Sequence, residues 1–348
     1  MKKLTVTQQM LLARRLAIYL RSGITINSGL LFILEDARSE AARILSVLES
    51  TVASGQSLSQ GLSLFPSTFD TFSIGFVRAG ETSGTLSETL ERLAEHLQKR
   101  HSLRKKILGA LSYPLIILIG TVLITLFLTL FIFPKILPVL QGLHTSLPLS
   151  TRILIGINTL LETHWLFLLL GLCTLSVIFI GAFRRPFVKI QLERLILRIP
   201  IIGLLCQYYS IAIFTRTLAL QLSGGVSLLP ALALTSTALS GSVYRKGIAA
   251  IEAQISEGQK FSTALKEHPK LFPPIIRQMI SAGEETGTLS ANLSALANMY
   301  EENLDDLTKS LTVLVEPVLM VVMGFIVGFV ALAIITPIYQ VTQNLNVQ

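Results

Sequence analysis

Residues 107–134 contain no charged side chain. At the rise of a helix, about 20 residues cross the hydrocarbon core, so this run can span a bilayer with room to tilt. A lone segment in lipid must satisfy its own backbone hydrogen bonds, which only a helix does. Two further runs meet the same condition. Residues 163–183 are uncharged, with Trp165 near one end and Arg184 and Arg185 closing the other. No charge follows Glu316, and Pro317 to Pro337 completes a third run. The sequence therefore predicts an all-α membrane protein with transmembrane helices at 107–134, 163–183 and 311–337.

Only 14% of the 348 residues are charged, against roughly a quarter in soluble domains, so apolar area must face lipid. The net charge of +8 is explained by its distribution. Residues 1–106 hold 14 Lys and Arg and residues 184–310 hold 13, of 29 in all. The loop 135–162 holds Lys135 and Arg152, and the tail 338–348 holds none. Basic residues flanking a span mark its cytoplasmic side. Residues 1–106 and 184–310 are thus expected in the cytoplasm, and the loop 135–162 and the tail 338–348 outside it, across the membrane. No nucleic-acid partner is needed to account for the charge. Arg14, Arg15 and Arg21 interrupt the apolar stretch that a cleaved signal requires, and residues 7–22 read instead as an amphipathic helix. Cys173 and Cys206 stand alone, without the spacing of a zinc site or a disulfide framework.

The chain also matches itself at a shift of 203 residues. Gly80-Glu-Thr-Ser-Gly84 returns as Gly283-Glu-Glu-Thr-Gly287, Gly55 as Gly258, Pro66 as Pro269 and Phe69 as Phe272. Upstream the shift is one less, so that Arg14 falls on Arg216 and Gly23 on Gly225. The match runs into the membrane, where Pro114 falls on Pro317 and Pro134 on Pro337. Such a period marks a duplicated unit. Each copy is a soluble domain followed by a span, and the run 163–183 is the connector. Apolar residues recur three and four apart, as at Leu86, Leu90, Leu93 and Leu97, with Gly, Ser and Pro breaks between segments. This predicts about six helices per copy, near 7–22, 26–38, 40–54, 57–63, 69–80 and 85–103. Two homologous helical bundles follow, one cytoplasmic domain at 1–106 and its repeat at 184–310.

Three groups of residues stand out. Gly80, Glu81 and Gly84, with Gly283, Glu284 and Gly287, form the repeated loops. Their glycines permit a sharp turn. The two carboxylates either satisfy free amides of the helix that follows or are held for a partner's Arg or a cation. Thr85 to Glu88 has capping-box spacing. Thr121 and Thr125 in the first span and Gly324 and Gly328 in the third are small residues four apart, a spacing that lets helices approach closely. Tyr113-Pro114 and Glu316-Pro317 mark the membrane edge. The acidic run Glu301, Glu302, Asp305 and Asp306 reads as a solvated helix face, with a cation or a basic partner as the alternative. There is no P-loop, HExxH or GxSxG pattern, and the five histidines are scattered. No catalytic, metal or cofactor site is expected.

The stretches Phe65-Pro-Ser-Thr-Phe69, His268-Pro-Lys-Leu-Phe272, Leu111-Ser-Tyr-Pro114, Ile199-Pro-Ile-Ile-Gly203 and Val315-Glu-Pro317 accompany the two Gly-Glu loops. In this order and spacing they resemble the GspF/PilC family of polytopic inner-membrane platform proteins, over nearly the whole chain. The resemblance implies a non-enzymatic role. The cytoplasmic bundles would engage a hexameric assembly ATPase, and the membrane part would pass its motion to pilin-like or pseudopilin subunits. It also implies contact with other inner-membrane components of the machine and a homo-oligomer. A type II secretion system is the first reading and a type IV pilus or competence pseudopilus the alternative. A small-solute transporter is a more distant one, since the spans are few and lack midplane ionisable residues.

Overall fold

A computed structural model describes residues 3–132, 134–135, 199–239 and 241–345, with scattered positions between 152 and 197. Among the described residues all regular structure is helical. The first copy comprises α1 (Val6–Arg21), α2 (Ile26–Glu35), α3 (Ser39–Ala53), α4 (Leu58–Ser63), α5 (Thr71–Thr82) and α6 (Leu86–Phe127), extended by a π-helical turn at Leu128–Ile132. The second copy comprises α7 (Pro200–Ser223), α8 (Leu228–Ala238), α9 (Ser242–Ser256), α10 (Phe261–Ala264), α11 (Pro274–Thr286) and α12 (Leu289–Leu345), with a 3-10 turn after α10.

Local chemistry sets the helix starts. Thr5 and Gln8 form a capping box on α1, and Ser57 and Gln60 form one on α4. Thr25 caps α2 through the Ser28 amide, and Asp70 caps α5 through the Ser73 amide. Glycines with positive φ occupy three matched pairs of positions, Gly23 with Gly225, Gly55 with Gly258 and Gly84 with Gly287. The duplication thus extends to backbone conformation.

The chain divides into two compact units, Met1–Lys106 with Ile190–Leu307, and Ile107–Lys189 with Thr308–Gln348. The first unit holds both bundles. Leu16, Leu30, Leu48, Phe72 and Phe76 are fully buried in the first copy, and Phe214, Ile251, Phe261, Phe272 and Leu296 in the second. Each such side chain contributes about 1.5–3 kcal/mol when removed from water. Phe214 packs on Phe272 with ring centroids 5.2 Å apart, and Tyr244 meets the same ring edge-on.

The sequence separates a bundle helix at 85–103 from a span beginning at 107. The structure instead makes one continuous helix, α6, and its counterpart α12 runs for 57 residues. The junction Leu103-Arg-Lys-Lys-Ile107 contains neither Gly nor Pro, so nothing interrupts the backbone ladder there. Pro114 lies within α6. The π turn falls just before Pro134, where a missing amide donor disturbs the hydrogen-bond ladder. Beyond Pro337, α12 continues to Leu345, so helix occupies most of the stretch expected as a tail.

Among the described residues, three helical stretches are long and apolar enough to cross a membrane: Leu86–Ile132, Pro200–Ser223 and Leu289–Ala333. In the first and third, 6% of the most apolar window is buried, and in Pro200–Ser223 it is 50%. Pro200–Ser223 is α7, the counterpart of α1, and its Ile211, Phe214 and Leu218 fill the second core. Its apolarity is spent on packing within the bundle. The run 163–183 and the loop 135–162 lie largely outside the described residues.

Candidate functional site

The five-residue loop Gly80–Gly84 resolves into three separate tasks. Gly80 is helical and lies where α5 meets α6; a Cβ there would come within 2.6 Å of Thr89 Cβ. Gly283 does the same in the second copy, with Leu289 Cα 2.8 Å away. Only the last glycine turns the chain, Gly84 and Gly287 each having φ of 71°. A left-handed residue at this position closes a helix end, and glycine adopts it without strain.

The carboxylates between them reach backwards. Glu81 accepts hydrogen bonds from the amides of Leu58 at 2.5 Å and Ser59 at 3.2 Å, the first residues of α4. Glu284 accepts from Phe261 at 2.7 Å and Ser262 at 2.9 Å, the first residues of α10. The expectation that these acids serve the following helix is corrected: they cap the short helix 23 residues upstream. That helix has free amides at its start, and a carboxylate is favoured there. Nor does Thr85 close a capping box with Glu88. Its hydroxyl pairs with Ser83 at 2.7 Å, and Glu88 turns to Arg92.

The acidic run on α12 is likewise not a purely solvated face. Glu301 is only 16% exposed and is held by Lys99 of α6 at 3.0 Å and by Arg216 of α7 at 2.8 Å. Asp305 pairs with Lys106. Positively charged residues of the first copy thus bind acids of the second. Lys99 and Lys106 are among the basic residues of 1–106 whose position before the first span marks its cytoplasmic side, and nothing local to them points to these partners. The signal available was the repeat itself. Arg14 to Gln98 at 2.6 Å is the contact of the first copy that becomes Arg216 to Glu301 in the second.

Near these ion pairs lies a partly buried polar cluster. Asp70 bridges the Ser73 amide and Arg100, each at 2.9 Å. Burial works against its ionisation, but the Ser73 hydrogen bonds and the Arg100 guanidinium outweigh that and hold its carboxyl below the usual value. His96 packs on Phe72 at a 45° tilt with centroids 4.9 Å apart, and neither ring nitrogen has a hydrogen-bond partner among the described residues. Burial pushes its pKa down to about 4, Arg100 adding to the effect and Asp70 opposing it.

The membrane-side candidates are not brought together. Thr121 and Thr125 are half-buried, and Thr121 donates back to the Ile117 carbonyl at 2.9 Å. A Cβ added at Gly324 or Gly328 would meet nothing within 4 Å. Tyr113 is 46% exposed, and Glu316 and Pro317 are exposed on α12. No group of three metal-ligating side chains occurs among the described residues, and Cys206 is a free thiol.

The two bundles with their helices coincide with a known family unit. The model of the type II secretion system protein F family matches residues 12–134 and again 214–337. The chain belongs to this family. The two matches are offset as the internal repeat is. Among similar proteins, the type IV pilus assembly protein PilC of Thermus thermophilus is 35% identical over 97% of this chain and 83% of its own length. The type IV pilus assembly protein TapC of Aeromonas hydrophila is 30% identical over 95% of this chain and 80% of its own. The type II secretion system protein F of Aeromonas hydrophila is 30% identical over 97% of this chain and 87% of its own. Members of the protein F family thus carry names from both machines. Family and apolar helices together make this an inner-membrane protein.

Proposed function

We propose that this chain is the platform of a type II secretion or type IV pilus machine, coupling a cytoplasmic hexameric assembly ATPase to the insertion of pilin-like subunits. The observation that carries the reading is the pair of unbroken helices α6 and α12. Each begins in a bundle and continues without a break into an apolar segment. A helix without a joint passes displacement along its axis, whereas a loop would absorb it. The role is mechanical and requires no catalytic group. Positive-inside charge supports bundles in the cytoplasm and a periplasmic C-terminus.

The test is a pull-down of the cognate ATPase by the full-length chain in detergent, with a deletion strain beside it. Failure to bind, with normal filament assembly and secretion in the deletion strain, overturns the platform reading. Loss of exported protein with intact surface pili assigns the chain to secretion, the reading first drawn from the sequence. Loss of pili with intact export assigns it to pilus assembly, a reading favoured by the PilC and TapC names of several relatives. Reporters fused at residues 145 and 250 should read as periplasmic and cytoplasmic, and the reverse would refute the orientation.

A further inference from the structure

The two copies pack on each other through different faces. The first copy contributes α5 and α6, and the second contributes α7, α8 and the start of α12. A Cβ at Gly75 would lie 2.8 Å from Leu234, and one at Gly224 would lie 3.3 Å from Phe76. Leu220 and Ala238 join the core of the first copy. Arg92 donates to Ser223 at 2.6 Å, and Lys99 and Lys106 bind Glu301 and Asp305. This contact is heterologous, so each copy keeps one face of the opposite kind unused.

The repeat offset identifies those faces. The counterparts of Leu220 and Leu234 are Ile18 and Phe32, which are 54% and 45% exposed on α1 and α2, beside Leu31 at 42%. Phe76, which meets Gly224, and the rings packed in series with it, Phe72 and His96, have Met279, Ile275 and Met299 as counterparts. Ile275 is 40% exposed, and the two methionines are partly exposed. Where the first copy has Arg92 the second has Ala295, leaving the strip more apolar.

We propose that the α1/α2 face of the first copy, at Ile18, Leu31 and Phe32, binds the α11/α12 face of the second copy of another molecule of this chain, around Ile275, Met279 and Met299. The contact repeats between molecules the one that already joins the two copies within a molecule. Gln278 replaces Gly75 and holds the helices further apart, while Met279 and Ala295 replace the larger Phe76 and Arg92 and make room. At one of the two ion pairs charge stays complementary with its sign exchanged: Glu302 stands where Lys99 does, and it faces the Arg14–Gln98 pair in place of Glu301; the counterparts of Lys106 and Asp305 are Lys309 and Ser102, so the second pair does not recur across this contact. Residues 99 and 106 meet 301 and 305 in the same order, so α6 and α12 run parallel across the contact. A contact that preserves helix direction can recur between molecules sharing one membrane. The inference stands on the repeat geometry and not on the platform reading, so either can fail alone.

The test is cysteine cross-linking of the full-length chain in membranes, with Cys173 and Cys206 replaced by Ala. Phe32→Cys on one chain is co-expressed with Gln278→Cys on another, matching Leu234 and Gly75. Ser22→Cys with Met279→Cys, matching Gly224 and Phe76, is a second pair. A dimer band is expected from each mixture and from no single variant alone. A band from Phe32→Cys alone shows a two-fold contact and overturns the proposal, as does the absence of both mixed bands. Phe32→Glu, at an exposed position, should convert the detergent-solubilised assembly to monomer by light scattering; an assembly of unchanged mass also overturns it.

Discussion

Replacing Glu81 by Ala removes one side chain from a loop but acts on a helix elsewhere. The carboxylate takes the first two amides of α4, and both contacts are partly buried. Ser57 already satisfies the Gln60 amide, so it cannot stand in for the lost acceptor. Loss of a helix cap costs about 0.5–2 kcal/mol, and hydrogen bonds to a charged group contribute about 1.5–3 kcal/mol. Water reaches part of the vacated site, which places Glu81→Ala at about 2 kcal/mol. In a unit of some 200 residues that lowers the melting temperature by about 4–8 °C. Glu81→Gln keeps one acceptor oxygen and should lose about half as much. The assay is thermal melting of the purified chain in detergent, read by circular dichroism, with Glu284→Ala in parallel. Glu88→Ala, which loses only an exposed pair with Arg92, is the control and should cost under about 0.5 kcal/mol. If Glu81→Ala melted with the unaltered chain while binding to the assembly ATPase was lost, the capping argument would be refuted and a partner contact established.

Gly80→Val should destabilise by more than about 2 kcal/mol in the same assay, because its Cβ overlaps Thr89, whereas Gly84→Ala should cost about 1 kcal/mol for its left-handed backbone. His96 is neutral when folded and, with its pKa lowered to about 4, takes up a proton only after the unfolded chain has done so near the ordinary value of about 6.5. Its stability contribution is therefore complete above pH 6.5 and is lost as pH falls towards 4, reaching about 2 kcal/mol at pH 5. His96→Met, the residue of the second copy, should flatten melting temperature over that window; a slope that survives the substitution refutes the assignment. Arg216→Ala should destabilise by about 1–3 kcal/mol because Glu301 is left poorly solvated, and Lys99→Ala, at a half-exposed end, by less than about 1 kcal/mol. A double-mutant cycle with Glu301→Gln reports the coupling, and equal costs for the two basic residues would contradict the difference in burial.

Much of this architecture was legible in the sequence. Helical periodicity located the first five segments of the first copy within a few residues, and the start of the sixth, because amphipathic spacing is a local property. The Gly-Glu loops were recognisable by recurrence, but their parts were not separable. Gly80 and Gly84 look alike in a string of letters, and only the close crossing at one and the positive φ at the other distinguish them. The break expected between 103 and 107 came from reading a change in composition as a change in conformation. Charge ended and apolarity began there, but the helix did not stop.

The sequence alone determined the apolar runs, the helical class, the duplication and the family. Those depend on hydropathy, periodicity and self-similarity, which are properties of order along the chain. The tertiary structure decided what each charged group does. Glu81 caps a helix 23 residues away, and Lys99 binds a carboxylate 202 residues away. Such pairings depend on which surfaces the folded bundles bring within hydrogen-bond range. A carboxylate poorly exposed to water must find a donor there, and sequence spacing does not say which one.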